Sequence, residues 1–220
     1  MTPADSSGWI LCHRGLWHDQ RDQNTRHALT EALANGFGIE TDLRDCGREL
    51  VIAHDPPSAA ALTAGSFVAA LPERRWTDTS LALNIKADGL QDLLRPHLAS
   101  LAAVHAFVFD TSVPDTLGWI EMGVPVFTRQ SEVEPEPAFY NAARGVWLDA
   151  LWSEWYDRDL IERHLERGKD VCVVSPELNG RPPMPCWSML SALRDSLGDD
   201  GARVLLCTDL PHEARRAFGP

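Results

Sequence analysis

Two carboxylates lie two residues apart on what the sequence predicts to be one face of a β-strand. They are Glu40 and Asp42, in the stretch "GIETDLRDCGRELVIAHD", whose last histidine is His54. Alternate side chains of a strand point the same way, so this spacing places both carboxylates together. On a solvated sheet face the pair would carry no chemistry. On the inner face of a closed sheet it needs a positive partner or a metal ion.

Further polar residues close the neighbouring predicted strands. His13 and Arg14 follow the first apolar run, and Asn84 and Lys86 occupy one face of the run "LALNIK", whose leucines and isoleucine occupy the other. Each of these residues falls at the carboxyl end of its own predicted strand. In a barrel of parallel strands these ends meet at one mouth, so we expect the polar side chains to lie together there.

The combined set is typical of metal-assisted cleavage of a phosphate ester. Two carboxylates and the amide oxygen of Asn84 are ligands that suit Mg²⁺ or Ca²⁺. Arg14 and Lys86 beside such an ion suit an anion with several oxygens, such as a phosphate. His13 and His54 can transfer protons near neutral pH.

Short apolar runs alternate with helical patterns along the chain. We predict strands at Trp9–His13, Gly38–Arg44, Leu81–Lys86, Ala106–Asp110, Pro125–Thr128, Gly145–Asp149, Asp170–Ser175 and Arg203–Thr208, with a short additional strand at Glu49–His54. We predict helices at Thr25–Ala34, Leu90–Leu98, Val113–Met122, Asp159–Arg167, Trp187–Leu197 and Pro211–Phe218, with weaker patterns at Ser66–Leu71 and Pro135–Asn141. Eight strands in strict alternation with eight helices predict a closed (β/α)₈ TIM barrel with an outer helix ring.

An open doubly wound sheet is the alternative arrangement for strands that alternate with helices. It needs fewer units, and its first turn usually carries a G-x-G-x-x-G sequence, which does not follow the first predicted strand. Dinucleotide binding therefore lacks its main support. Neither a Walker loop nor a G-x-S-x-G nucleophile elbow occurs. We expect a single barrel domain over residues 1–220.

Charge and cysteine content narrow the class of protein. The formal net charge is −12 and the pI is about 5.0, which argues against a nucleic-acid partner and against an electrostatic anchor on anionic lipid. The N-terminus has no signal-peptide pattern, and no apolar run approaches the length of a membrane helix. Five scattered cysteines without a C-x-x-C pair fit reduced thiols. We therefore expect a cytoplasmic protein without stable membrane insertion.

At these residues the sequence resembles the glycerophosphodiester phosphodiesterase family, within the phospholipase-C-like phosphodiesterase barrels. The family pattern is a strand that ends in His-Arg-Gly, an Asn-Thr before the first helix, then Glu-x-Asp and His-Asp. Here the pattern reads His13-Arg14-Gly15, Asn24-Thr25, Glu40-Thr41-Asp42 and His54-Asp55. Later similarities are the strand ending Asn84-Ile85-Lys86 and a closing Thr-Asp-x-Pro turn at Thr208, Asp209 and Pro211.

The resemblance implies a metal-dependent hydrolase whose substrate is a small phosphodiester. His13 and His54 would be the general acid–base pair, and Arg14 and Lys86 would bind the phosphate. Trp17 follows His13 closely along the chain and is a further candidate for contact with the ligand.

The same resemblance implies that Glu40, Asp42 and Asn84 hold Mg²⁺ or Ca²⁺. The family usually has a third carboxylate where this chain has Asn84, and an asparagine ligates only through its carbonyl oxygen. We expect metal affinity to fall unless another acid, such as Glu177 in "VVSPELNG", reaches the mouth. Only about thirty residues separate His54 from Asn84, which is short for the family and leaves the mouth more open.

Three other functions stay open on the sequence. The first is a related lyase that uses an internal hydroxyl of the substrate and releases a cyclic phosphate. The second is a barrel that binds a phosphate ligand without catalysis, which Asn84 favours. The third is a polyol- or sugar-processing barrel, which Arg14 and Lys86 disfavour. The oligomeric state is not determined by the sequence. The three tryptophans of "GVWLDALWSEW" fit either packing in the core or stacking on a sugar or alkyl chain of a ligand.

Overall fold

Within the described residues, ten strands form one sheet, of which eight close into a parallel barrel. The computed structural model describes residues 7–58, 60–69, 79–102 and 104–219. The strands in chain order are β1 (Ser7–His13), β2 (Phe37–Cys46), β3 (Glu49–Ile52), β4 (Leu62–Thr63), β5 (Ser80–Ile85), β6 (His105–Phe109), β7 (Val126–Gln130), β8 (Gly145–Leu148), β9 (Asp170–Val174) and β10 (Val204–Thr208). Strands β1, β2 and β5 to β10 pair in parallel around the barrel, and β10 returns to β1. The predicted TIM barrel is confirmed.

Large apolar side chains fill the barrel interior. Phe107 stacks on Phe127 with ring centroids 3.7 Å apart, and Phe109 stacks on Trp147 at 3.7 Å. Cys207 belongs to the same buried cluster, and the five cysteines of the chain are all free thiols. The interior is therefore a packed core rather than a channel.

Strands β2 and β5 turn their apolar residues outward, as their alternation predicts. Ile39, Leu43 and Leu83 pack in the core between the barrel and the outer helices. Because successive side chains of a strand point to opposite faces, Glu40 and Asp42 point into the barrel. The sheet thus places charged side chains on its inner face.

The helices lie outside the barrel. They are α1 (Arg26–Ala34), α2 (Ala64–Val68), α3 (Gln91–Leu94), α4 (Leu98–Leu101), α5 (Val113–Glu121), α6 (Arg158–Glu166), α7 (Met184–Leu197) and α8 (Pro211–Phe218). The side chains of Thr25, Ser112 and Asp157 accept backbone N–H groups at the starts of α1, α5 and α6, and so act as N-caps. In the described ranges, no helix has both the length and the apolar content that a bilayer crossing requires.

Several predicted helices differ in their bounds, and the predicted helix Trp187–Leu197 begins three residues earlier, as α7. The predicted helix Leu90–Leu98 is divided into α3 and α4, because a 3₁₀ turn over Arg95–His97 separates them. Pro96 lies within that turn and has no N–H group with which to continue an α-helical ladder. The predicted helix Ser66–Leu71 begins earlier, as α2 capped by Thr63, and its residues 70 and 71 lie outside the described residues.

Strand β3 folds back antiparallel beside the end of β2. Leu43 pairs with Ile52, and the Ala53 N–H donates to the Asp42 carbonyl at 3.1 Å. The strand ends two residues before the end of the predicted strand Glu49–His54. The hairpin places Ala53 at the level of Asp42 along β2, and His54 follows in a loop.

The predicted helix Pro135–Asn141 is wrong, because an irregular loop joins β7 to β8. The two prolines of "EPEPAF" have no N–H group, which disfavours a helix in this segment. Side chains of β7 hold the loop instead. Thr128 donates its hydroxyl to the Ala138 carbonyl at 2.7 Å, and the Gln130 amide donates to the Pro135 carbonyl at 2.8 Å. The strict alternation of strands and helices is interrupted at this point.

A buried histidine connects this loop to α6. The Tyr140 hydroxyl donates to Nδ1 of His164 at 2.7 Å, and Nε2 of His164 donates to Oε1 of Gln130 at 2.8 Å. This pattern requires a neutral imidazole, because a protonated ring has no acceptor for the tyrosine. Burial, and after it the charges of Arg167 and Arg163, lower the pKa of His164 from its ordinary value to about 4.

The buried histidine predicts a loss of stability in mild acid. Between pH 6.5 and about 4 the unfolded chain binds a proton that the folded His164 does not, so falling pH favours unfolding. We expect the free energy of unfolding to drop by up to about 3 kcal/mol over this window. Urea denaturation at several pH values measures it. His164→Gln, which cannot titrate, should lose this part of the decline, and identical pH curves for the two proteins would contradict the prediction.

Candidate active site

The barrel mouth brings together most of the polar residues that the sequence predicted there. His13 ends β1, Glu40 and Asp42 lie in β2, Asn84 lies in β5, and Lys86 directly follows β5. In the strand register His13 is opposite Glu40, and Asp42 is opposite Asn84. Three adjacent strands therefore present one continuous polar surface at their carboxyl ends.

The turn after β1 aims the backbone of Arg14 at this surface. Arg14 has a φ of 58° and Gly15 a φ of 90°. A Cβ atom on Gly15 would lie 2.7 Å from the carbonyl carbon of Ala28 in α1, so only glycine fits this close approach. The turn directs the Arg14 N–H to Oε2 of Glu40 at 3.1 Å.

Asp42 is a fully buried carboxylate between two cations. Its exposed fraction is 0%. Oδ2 lies 3.1 Å from Nε of Arg14, and Oδ1 lies 3.4 Å from Nζ of Lys86. The Asn24 amide donates to Oδ2 at 2.7 Å. A buried charge is tolerated only when it is paired and hydrogen-bonded, and these three groups meet that requirement.

Asn24 is a site residue to which the sequence reasoning assigned no role. Its Nδ2 donates to Asp42, and its Oδ1 accepts the Thr41 hydroxyl at 2.8 Å. Its φ is 58°, a left-handed conformation that asparagine tolerates better than most residues. The signals in the sequence were the Asn24-Thr25 pair of the family pattern and its position before Thr25, the N-cap of α1.

Glu40 is almost completely buried beside Asp42, with an exposed fraction of 1%. Burial is the largest cause that raises the pKa of Glu40; with the lowering effect of His13 and the raising effect of the Asp42 charge, the pKa is about 7. A positive charge placed at the mouth would favour the ionised carboxylate.

His13 is oriented by an acid from the opposite end of the sequence. Its Nδ1 donates to Oδ1 of Asp209 at 2.8 Å, while Nε2 lies 4.0 Å from Oε2 of Glu40. Burial lowers the pKa of His13, but the hydrogen bond to Asp209 and the charge of Glu40 outweigh it, so the pKa is raised from its ordinary value. The imidazole is thus fixed in one orientation with Nε2 towards the carboxylates.

Glu177 positions Asp209 rather than offering a free third carboxylate. Its Oε1 accepts the Asp209 N–H at 3.2 Å and the Thr208 hydroxyl, and its Oε2 accepts the Ser175 hydroxyl. Ser175 in turn accepts the indole N–H of Trp187 at 2.8 Å. Both carboxylate oxygens are engaged in joining the ends of β9 and β10.

Lys86 also faces a carboxylate on the next strand. Its Nζ lies 3.9 Å from Oδ2 of Asp110, the residue after β6, and Arg129 contacts the other oxygen of that carboxylate. Asp110 has a φ of 60°, a strained conformation that is common at functional sites. The sequence reasoning placed Asp110 at a strand end but assigned it no role in the site.

His54 and Trp17 lie at the edge of this cluster. The side chain of His54 is 42% exposed, and its Nδ1 lies 3.0 Å from Oδ1 of Asp55. It lines a cleft of about 640 Å³ together with Arg14 and Asn24. Trp17 donates its indole N–H to the His13 carbonyl at 2.9 Å. This hydrogen bond holds the end of β1.

Two buried oxygens at the mouth fit a hard cation. Oδ1 of Asp42 and Oδ1 of Asn84 are buried without a hydrogen-bond partner, and they belong to paired residues of β2 and β5. Together with Glu40 they form a set of oxygen ligands only, as Mg²⁺ and Ca²⁺ prefer. In the described part of the chain, no group of three or more histidine, cysteine or acidic residues is arranged to hold a metal, so the fit depends on the amide of Asn84.

Comparison with known proteins relates the chain to solved structures alone: no family model and no curated protein matches it. A glycerophosphodiester phosphodiesterase from Agrobacterium tumefaciens is 16% identical, with a TM-score of 0.60 over 92% of this chain and 96% of that one. A putative one from Silicibacter pomeroyi is 12% identical, with a TM-score of 0.62 over 95% and 92%. One from Parabacteroides distasonis is 13% identical, with a TM-score of 0.66 over 99% and 88%. Likeness at this identity establishes a shared fold.

The hydrogen bonds of Asn24 predict a large effect on stability. Asn24→Ala removes a donor to the buried Asp42, leaves the Thr41 hydroxyl without its acceptor and puts alanine at a φ of 58°. We expect the free energy of unfolding in urea to fall by about 2–4 kcal/mol. Thr41→Val, the matched control, removes only the hydroxyl and should cost about 1 kcal/mol. Equal losses for the two variants would show that Asp42 does not depend on Asn24.

Proposed function

We propose that the chain is a phosphoric diester hydrolase that cleaves a glycerophosphodiester-like or related small phosphodiester. The observation that carries this proposal is the buried Asp42 held between Arg14 and Lys86, next to a histidine fixed by Asp209. The three solved structures with the same fold support the reaction type, since each is described as a glycerophosphodiester phosphodiesterase, one of them putatively. The proposed enzyme is one barrel domain that works in the cytoplasm, in keeping with its free thiols.

Arg14 and Lys86 are the proposed phosphate ligands. Their side chains are 20% and 19% exposed, whereas Asp42 between them is inaccessible. Each cation therefore has one side on the buried carboxylate and another side available to a ligand. Attack on phosphorus increases the negative charge on its oxygens. Two partly exposed cations held in fixed positions stabilise that charge.

His13 and His54 are the proposed proton-transfer pair. In hydrolysis, a water oxygen bonds to phosphorus as the bond to the leaving alcohol oxygen breaks. One imidazole takes the proton of the water and the other gives a proton to the leaving oxygen. Asp209 keeps His13 in one tautomer, with Nδ1–H engaged and Nε2 free to act. His54 acts from the hairpin side of the cleft that it shares with Arg14.

Glu40, Asp42 and Asn84 are the proposed ligands of a divalent cation, Mg²⁺ or Ca²⁺. Such an ion would supply positive charge to the phosphate when it is bound. Two oxygens that accept no hydrogen bond support this set. They are Oδ1 of Asn84 and Oδ1 of Asp42, and the latter has Nζ of Lys86 at 3.4 Å. Two formal carboxylates, one of which already pairs with Arg14 and Lys86, favour weak binding of the ion.

One observation favours a second candidate function, a phosphate-binding barrel without catalysis. Asn84 replaces a carboxylate with an amide at the proposed cation site, so the cations Arg14 and Lys86 would hold an anion without an activating metal. A lyase that releases a cyclic phosphate shares all of the proposed site residues, and phosphorus NMR of the products distinguishes it from the hydrolase.

Loss of either histidine should remove most of the activity. We expect His13→Ala and His54→Ala each to lower kcat for glycerophosphoethanolamine, whose alkoxide leaving group needs a proton, by about a hundredfold or more, because each removes one proton transfer. Circular dichroism should stay unchanged, since neither residue is buried in the core. His105→Ala, at the amino end of β6 and exposed, is the matched control and should retain full activity. Wild-type turnover in either site variant would refute the pair.

The cation site predicts a variant with tighter metal binding. Chelator should abolish hydrolysis, and added Mg²⁺ or Ca²⁺ should restore it. Asn84→Glu adds a carboxylate where the side chain already faces the mouth, so calorimetric titration should show higher affinity for the ion. Asn141→Glu, an exposed site in the β7–β8 loop, is the charge-matched control and should not change affinity.

Two results would contradict that assignment. If Asn84→Glu left affinity unaltered while Glu177→Gln abolished binding, the third ligand would come from the loop after β9. If neither the wild-type protein nor Asn84→Glu bound a divalent ion, the non-catalytic barrel would be the better description.

A further inference from the structure

The large exposed hydrophobic residues of the described chain all lie in the segments between β6 and β10. All of them follow the carboxyl ends of β6, β7, β8 or β9: Val113, Leu117, Val133, Leu151, Trp152 and Met184. The charged cluster lies on β1, β2 and β5. In the strand order, β8 is four strands from β2 in either direction. The charged half of the mouth, on β1, β2 and β5, therefore faces a half that carries these apolar side chains together with the charges of Asp110, Arg129 and Glu134.

Trp152 is the most exposed of these residues, at 73%. The other two tryptophans of the same stretch are accounted for by the fold: Trp147 is in the barrel core, and Trp155 donates its N–H to the Asp149 carbonyl at 2.8 Å. An indole that remains in water, beside Leu151 at 36% exposure, is unusual on the surface of a monomer and marks a contact site.

The loop that carries Trp152 is held in a fixed position. The carboxylate of Glu132, in the loop after β7, accepts the backbone N–H groups of Leu151 at 3.0 Å, Trp152 at 2.7 Å and Ser153 at 3.2 Å. From the other side, the Asn179 amide donates to the Ala150 carbonyl at 3.1 Å. The apolar surface is thus preformed, and a ligand does not have to order it.

The charge of the same loops disfavours an anionic lipid bilayer as the occupant. Glu132, Glu134 and Glu154 lie beside the exposed apolar residues along the chain, and the net charge of the protein is −12. An anionic surface would be repelled. A single amphiphilic molecule escapes this repulsion, because its phosphate is held by the charged half of the mouth.

We propose that Val133, Leu151, Trp152 and Met184 form an apolar rim that binds the hydrocarbon chain of a single-chain lipid phosphodiester. The proposal rests on the proposed function, and it names an amphiphilic substrate in place of a small polar one. Eight strands about 4.8 Å apart and tilted by about 36° enclose a mouth about 15 Å across. The chain must span this distance, so short alkyl groups gain nothing from the rim and longer ones gain contact with it.

A chain-length series tests the rim. The probes are 4-nitrophenyl butyl, octyl and dodecyl phosphates, each below its critical micelle concentration, and the measured quantity is kcat/KM. Full burial of one methylene group raises affinity about fourfold. An open rim buries each methylene only in part, so the increase per methylene is smaller. We expect kcat/KM for the dodecyl ester to exceed that for the butyl ester by about thirtyfold.

Trp152→Ala should lower this dodecyl-to-butyl ratio about tenfold, because the indole supplies most of the rim, without changing kcat/KM for the butyl ester. Leu117→Ala, an exposed apolar residue on the second turn of α5, is the matched control and should leave the ratio unchanged. A wild-type ratio near one, or an equal loss on both esters in Trp152→Ala, would overturn the proposal.

Failure of the rim and failure of the proposed function give different results. If no ester is cleaved, the proposed function fails, and calorimetric binding of dodecyl phosphate against butyl phosphate still tests the rim in wild type and Trp152→Ala. Sedimentation of the protein alone, and with phosphatidylcholine vesicles, tests two other occupants. If Trp152→Ala abolished self-association or vesicle binding while chain-length selectivity stayed intact, the rim would serve that contact instead, and the proposal would be wrong.

Discussion

The burial of the Asp42 carboxylate is the constraint on which the rest of the mouth depends. An ion with no solvent access requires charge and hydrogen bonds from the protein. Here Arg14 comes from the turn after β1, Asn24 from the segment before α1, and Lys86 from the end of β5. These groups meet because β1 and β5 pair with β2 on its two sides. The pairing of these three strands therefore supplies the compensation of the buried charge.

The same compensation prepares the cations for a ligand. Arg14 and Lys86 are fixed by Asp42 on one side and keep part of their surface at the mouth. Fixed charges require little reorganisation when a phosphate binds. A neutral amide at Asn84 leaves the local charge unchanged, because Arg14 and Lys86 already offset the carboxylate of Asp42, the residue paired with Asn84. A further carboxylate at that position would increase the negative charge that the site must compensate.

Loops, rather than barrel strands, distinguish the two halves of the mouth. Around β1, β2 and β5 the polar residues lie within or directly after the strands, where the register fixes them. After β7 and β8 the chain continues into irregular loops held by Gln130, His164 and Glu132. Loops of this kind can change without disturbing the barrel. The proposed rim therefore lies in a different part of the molecule from the proposed chemistry.

The sequence by itself determined which residues of β2 and β5 face inward, because strand side chains alternate whatever surrounds them. It also determined that Glu40, Asp42, Asn84 and Lys86 gather at one mouth. The tertiary structure alone decided which partners they have. Asp209 orients His13 from 196 residues away, and Glu177 is engaged by the hydroxyls of Ser175, directly after β9, and Thr208 in β10. The exposure of Trp152 was likewise undetermined, since an apolar residue in a loop becomes exposed or buried according to contacts that local sequence does not specify.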